Sequence, residues 1–443
     1  MDNLPRPSPA ERRAAGKALR DRMPRTDQAA FTPPGDRPDL VDRLKALNAR
    51  RIPDLLPIKW GRMTASPFAF FRGSAGLFAA DIGPAPHTGL TVQLCGDAHL
   101  LNLGAYAAPD GHLVFDLNDF DESLAGPWEW DLKRLCASVV LGGREADQSD
   151  DAARDAVLAL VRAYREEMTR FAGMKGLDLV RFEVLPDDRG PVLKGVLAKA
   201  IRDTPVRLLE KVTEDDGQGG RRFQSRPPLL APVSEARRQT VLEAWPSYFD
   251  SVVPGRQRVL EVYAPADIAF KVVGTGSVGT TCLLTLCFGQ GPEDPLFLQF
   301  KSEDPSVWAP YLAGAAEATH QGHRVALGQH RMQTWVDPFL GWTRFGGQDF
   351  LVRQWSDHKA SVSAKVLRGP LLQDYAGLCG AILAKAHART GDAATLAGYL
   401  GDGDKLDQTL AGFALAYADQ VDQDHQRFLR AIREGDLPAM TGL

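Results

Sequence analysis

The stretch CGDAHLLNLG, residues 95–104, sets Asp97 and Asn102 five positions apart, and VFDLNDFDE, residues 114–122, puts Asp119 seventeen residues beyond Asn102. Apolar residues precede both clusters (TVQL and HLVF), so each reads as a strand end that delivers carboxylates into a shared cleft. Phosphoryl transfer needs such a set. One carboxylate orients the nucleophile's proton, while an asparagine oxygen and a second carboxylate hold Mg²⁺ on nucleotide phosphates. Asp97 is the candidate for the first role and Asn102 and Asp119 for the second, with Asp121 as a further metal contact and Asp116 as a strand cap. His99 reads as a loop brace. Asp, Asn and Gly mark turns everywhere, but three linked segments outweigh that reading. The third is GPWEWDLKRL, residues 126–135, where Asp131 precedes Leu132, Leu135 and Val139 as a helix N-cap candidate that could also brace the loop.

Farther along, IAFKVVGTGSVGTTCLLTLCFG (268–289) is β-branched and apolar around a turn with Gly274, Gly276 and Gly279 in a G-x-G-x-x-G pattern, Ser277 among them. Such glycines let backbone N–H groups approach phosphates. A dinucleotide fingerprint opens a helix, whereas here a second turn, GQGPEDP, leads into LFLQFK. The expected structure is a three-stranded antiparallel meander with a glycine hairpin. Lys301, ending the third strand, would grip phosphates, with Glu317 on a helix over 306–320 as ion-pair partner and Glu303 as rival. DFLVRQWSD (349–357) would be the strand against which adenine packs.

The 443 residues suggest two or three domains or one two-lobed one. With 44% hydrophobic and 24% charged residues, the chain is not of a disordered, collagen or coiled-coil class. A net charge of −4 argues against indiscriminate nucleic-acid coating but not against a local basic patch, and nucleic acid is not the expected partner. Five scattered cysteines lack zinc spacing and read as reduced core thiols. The N-terminus has no apolar signal region, and no apolar run is long enough to span a membrane, so a cytoplasmic protein is expected. Residues 1–62 hold fourteen Lys/Arg against eight Asp/Glu and read as an exposed basic arm, although such stretches are more often solvated or packed down. Ala153, Val157, Leu160, Val161, Tyr164 and Met168 predict a helix over 151–171, and 213–228 reads as a polar linker. Helical patterns recur over 233–250, 370–390 and 406–433.

The pattern GDxHxxN, then DFD, then GPxxWDL resembles the aminoglycoside-phosphotransferase branch of the protein-kinase-like superfamily. The resemblance implies Asp97 as catalytic base, Asn102 and Asp119 as metal ligands, and Asp131 as a structural aspartate, with Cys95 standing where that family has His. The order differs, because the catalytic-loop segment precedes the glycine loop. YAGLCGAILAKAHARTGD, 375–392, resembles the helix that leads into a catalytic loop, which suits a circular permutation. The expected fold is thus α+β, protein-kinase-like, two-lobed and circularly permuted. Its divisions are an arm at 1–62, a catalytic-loop region at 63–265, a nucleotide-gripping β-rich region at 266–360 and C-terminal helices at 361–443.

Across nearly the whole chain, blocks such as RMTASPFAFFRG, GDAHLLNLG, KVVGTGSVGT, GHRVALGQHRMQ and LAKAHARTGD resemble the bacterial family called domain of unknown function 2252. In the first block Arg72 is expected to pair with a carboxylate or a phosphate, a structural carboxylate being favoured, and Arg353 and Lys359 could face phosphate or acceptor. The function expected is a Mg²⁺- and ATP-dependent phosphotransferase whose small-molecule or protein acceptor and oligomeric state the sequence leaves open. The alternatives are AMP transfer on the same residues, a non-catalytic nucleotide-binding module, and a metal-dependent hydrolase built on Asp97, His99, Asp119 and Asp121.

Overall fold

The computed structural model describes residues 7–29, 31, 37–184, 190–312, 318–355 and 358–442, apart from the side chains of 190–192. The fold is mixed α+β. Strands β1 (Thr91–Leu94), β2 (Leu103–Ala107), β3 (Leu113–Leu117) and β4 (Leu124–Pro127) flank the two acidic segments. Then follow β5 (Thr213–Asp215), β6 (Arg221–Phe223), β7 (Leu230–Pro232), β8 (Ala264–Lys271), β9 (Cys282–Phe288), β10 (Pro295–Glu303), β11 (Gly341–Phe345), β12 (Gln348–Gln354) and β13 (Ala360–Ser361).

The expected meander is β8, β9 and β10, at the centre of a six-stranded sheet of order β11-β12-β10-β9-β8-β7 whose neighbours all pair antiparallel. Strands β9 and β10 are apolar almost without alternation because both faces are covered. Tyr248 of the helix Glu235–Ser251 packs with Leu283, Leu298 and Phe300 on one face. Leu208, Leu209 and Val212 pack with Leu284, Leu286 and Phe297 on the other. Side chains alternate along a strand. Phe297, Gln299, Lys301 and Glu303 therefore share one face of β10, and Lys301 pairs in register with Cys282 and Leu351.

The acidic segments belong to smaller sheets, β1 with β4 and β13-β2-β3. Behind them the helices Trp128–Glu145, Asp150–Ala172, Pro370–Ala388 and Lys405–Glu434 form the main core. All six residues that predict the helix over 151–171 are buried.

Three expectations are corrected. Residues 1–62 do not form an exposed arm in their described part. Helix Pro9–Ala18 lies so close to helix Ala393–Leu400 that a Cβ on Gly16 would meet Thr395 O at 1.9 Å, and Trp60 and Met63 sit in the main core. The linker at 213–228 contains a hairpin, β5–β6, closed by Asp215 accepting from Gly217 N–H at 2.6 Å. No helix runs over 306–312; a short turn at Ala309–Tyr311 is followed later by helix Gln321–Met332. Pro305 and Pro310 remove backbone donors there. In addition, Val307 N–H is drawn to the Glu122 carboxylate at 2.7 Å. Among the described residues no helix is long and apolar enough to cross a membrane.

Candidate functional site

The two acidic loops are laced by one amide. Asn102 Nδ2 donates to Asp97 O at 2.9 Å and Asp119 O at 3.1 Å, while its Oδ1 accepts from Asp119 N–H at 2.7 Å. Asp131 braces the first loop from below, accepting from Cys95 N–H at 2.8 Å and Gly96 N–H at 3.0 Å. It does not cap its helix, which already begins at Trp128. His387, fully buried, lies 3.4 Å from Asp131 through Nε2 and 2.8 Å from Tyr164 OH through Nδ1. Gly96 is required where it stands: its φ is +82°, and a Cβ would lie 2.1 Å from Glu122 O.

Asp97 is fixed by Arg134, whose Nε donates to Oδ1 at 2.6 Å. That guanidinium is fully buried, lies over the Phe71 ring at 4.1 Å and donates to Phe71 O at 3.0 Å. His99 Nδ1 accepts from Leu101 N–H at 3.1 Å, so the ring braces the loop with Nε2 3.9 Å from Asp97 Oδ2. Burial pushes the His99 imidazolium down to about 3, which keeps the ring neutral. Asp116 leaves the cleft altogether and pairs with buried Lys385.

Facing these loops is the sheet. Lys301 Nζ bonds to Asp121 Oδ2 and lies 3.7 Å from Asp119 Oδ1. Ser277 Oγ of the glycine turn donates to the same Asp121 oxygen at 3.1 Å. The turn is gripped on its carbonyl side by the segment 51–62. Lys59 Nζ donates to Gly276 O at 3.2 Å, Arg51 to Val278 O at 3.3 Å, Ile52 N–H to Gly279 O at 2.8 Å, and Arg62 to Val273 O. Lys59 is 2% exposed and, among the described residues, has no ion-pair partner; burial and neighbouring Arg51 lower its ammonium well below the usual range. Arg72 makes no ion pair among the described residues either, contrary to expectation, and its Nε is buried without a hydrogen bond.

The charges are strongly coupled. Burial would raise Asp119, but Lys301 and Arg353 outweigh it and hold the carboxyl below the ordinary range. Burial, then the Asp119 charge, raises Asp121. Burial opposes the Lys301 ammonium, yet Asp119 and Asp121 keep it protonated above its ordinary value. Glu122 is pushed up to about 7 by burial.

Between sheet and loops lies a cavity of about 450 Å³, lined by Asp97, Asn102, Asp119, Gly274, Gly276, Ser277 and Lys301 together with Arg72 and Arg353. Asp121 lines a recess beside it with Lys59 and Arg72. Seven of the expected site residues thus share one cleft. Gly279 lies outside it, against Arg51. Asp121, expected on a metal, is engaged by Lys301 and Ser277. Glu317 lies outside the described residues, and Glu303, two positions beyond Lys301, forms no ion pair with it. Lys59 and Arg134 escaped the sequence reading; a lysine between Ile58 and Trp60, and an arginine within the apolar helix after Asp131, were the available signals.

Among the described residues no three His, Cys, Asp or Glu side chains converge on a metal-sized point. Mg²⁺ needs fewer, one or two carboxylates with phosphate and water. Asp119 Oδ1 is buried without a hydrogen-bond partner beside Asn102, a donor set that fits such an ion.

No curated protein and no solved structure matches the chain. A family model described as "Uncharacterized protein conserved in bacteria" matches residues 51–431, so the chain belongs to the bacterial family DUF2252.

Proposed function

We propose that the protein is a Mg²⁺- and ATP-dependent phosphotransferase built on a circularly permuted kinase-like arrangement. The observation that carries this reading is the meeting of Lys301, on the central strand of the sheet, with Asp119 and Asp121 of a loop 180 residues earlier in the chain, beside Asp97 and under a glycine turn. Permutation has support of its own. The helix Pro370–Ala388 ends at the head of β1, where Thr390 Oγ1 accepts from Gln93 N–H at 3.0 Å. The helix therefore arrives at the strand that leads into the Asp97 loop, although the chain joins them in the opposite order.

Asp97 presents Oδ2 to an acceptor hydroxyl while Arg134 holds Oδ1. The acceptor oxygen bonds to the γ-phosphorus as the bond from phosphorus to the β,γ-bridging oxygen breaks. ADP leaves with that oxygen, and the hydroxyl proton passes to Asp97. Asp119 and Asn102 would hold Mg²⁺, which offsets phosphate charge when bound. Lys301 on the sheet and Arg72 from the helix Pro67–Gly73 add positive charge to the cleft.

Calorimetric titration of ATP with and without Mg²⁺ tests the reading. Saturable, Mg²⁺-dependent binding that Asp119→Ala abolishes is expected. Absence of ATP binding up to millimolar concentration would overturn it, and release of pyrophosphate in place of ADP would reassign the reaction to AMP transfer.

A further inference from the structure

Beyond the cleft, and sharing Lys199 and Lys359 with it as a common wall, lies a second cavity of about 820 Å³. Lys199, Arg202, Arg207, Lys211, Arg226 and Lys271 line it, and Asp203 is the one acidic side chain among its described lining residues. This concentration of one sign is local, because the whole chain carries a net charge of −4. Elsewhere arginines find carboxylates: Arg144 holds Asp150, Asp419 and Asp422, and Arg37 holds Asp81 and Asp424. None of the six does so among the described residues. Among the described residues, Arg202, Arg207 and Lys271 donate only to the carbonyls of Ala198, Arg202 and Leu229, at 3.1, 3.3 and 3.4 Å. Lys199, Lys211 and Arg226 make no side-chain hydrogen bond within the described residues. Burial, with Arg62 and Lys211 close by, lowers the Lys271 ammonium.

Cations held near one another without counter-ions repel, so the arrangement gains most from a ligand that brings several negative charges at once. Half-buried Trp355, with Leu208 and Leu230, gives the cavity an apolar wall. A concave, solvent-open site that adjoins the Asp97 cleft through Lys199 and Lys359 suits a small molecule.

We propose that this cavity binds a small molecule carrying two or more phosphate groups, the acceptor of the reaction at Asp97. The acceptor role rests on the phosphotransferase reading; the polyanion site does not. Its ligand reaches the cleft past Lys199 and Lys359.

The test is calorimetric titration of inorganic tripolyphosphate into the Mg²⁺-free full-length protein, with orthophosphate as the single-phosphate control. Saturable tripolyphosphate binding at least tenfold tighter than orthophosphate is expected. The double substitution Lys211→Ala/Arg226→Ala, at two exposed positions, should weaken it at least tenfold with an unchanged melting curve, and Lys301→Met should leave it within twofold. Arg72→Ala replaces Lys301→Met if that variant melts early. Failure to bind up to millimolar concentration overturns the proposal, and so does equal binding by the double variant. The reverse pattern, loss in Lys301→Met alone, overturns it too, because the anion then occupies the nucleotide's phosphate site. If the expected pattern holds while Mg·ATP does not bind, the polyanion site stands and the phosphotransferase reading falls.

Discussion

Asp97 has one oxygen tied down and one free, and the tie is Arg134. Asp97→Ala should leave Mg·ATP affinity nearly unchanged while turnover falls by about 10²–10⁴-fold, the usual share of a general base; titration and steady-state rates on one preparation separate the two. Glu122 gives a pH signature. Its folded carboxyl titrates at about 7, above the ordinary carboxylate range, because of burial. The folded state thus holds a proton that the unfolded chain has lost, so this group's contribution to stability falls as pH rises from about 4.5 to about 7. Glu122→Gln should flatten that part of the melting-temperature profile, and an unchanged profile would place the titration elsewhere. That Asp97, Asn102 and Asp119 meet in one cleft was legible in the sequence because their spacing is short-range. Lys59 and the surroundings of Arg72 were not. Lys59 meets the glycine turn 217 residues away, and the expected carboxylate for Arg72 does not stand beside it.

At the level of elements, two supports carry the acidic loops. The first is the left-handed turn at Gly96, packed against Glu122 O. Gly96→Ala should cost about 1–3 kcal/mol for the backbone conformation alone, more with the clash, and should weaken nucleotide binding by displacing Asp97. Denaturant melts read the first effect and calorimetry the second. The other support is the Asp116–Lys385 pair, which pins β3 to helix Pro370–Ala388. Lys385→Met strands a buried carboxylate and should destabilise by about 3–5 kcal/mol. The meander β8–β10 could be read from its β-branched and apolar runs around glycine. For the helix expected over 306–320, Pro305 and Pro310 were a warning in the sequence for its first turns, over 306–312. Apolar spacing suggested it, and what the sequence could not show is Glu122, nearly two hundred positions upstream, whose carboxylate takes the Val307 N–H.

For the whole molecule, the basic composition of residues 1–62 misled because charge reports solvent preference and not contact partners. Arg12 pairs with Asp392, and Arg37 with Asp81 and Asp424, while Trp60 fills the main core. Deleting residues 1–62 should therefore abolish a cooperative melting transition rather than trim a tail, as differential scanning calorimetry would read.

The contact between His387 and Asp131, 256 positions apart, sets a timetable for the protein's synthesis. At roughly 5–20 residues per second, the ribosome needs on the order of ten to fifty seconds to supply the imidazole after the aspartate has emerged. Throughout that interval the Asp97 loop hangs from Asp131 with the partner from helix Pro370–Ala388 still unmade. A message truncated before residue 370 yields a polypeptide with every acidic residue of the cleft but without the helix, and the imidazole, that backs Asp131.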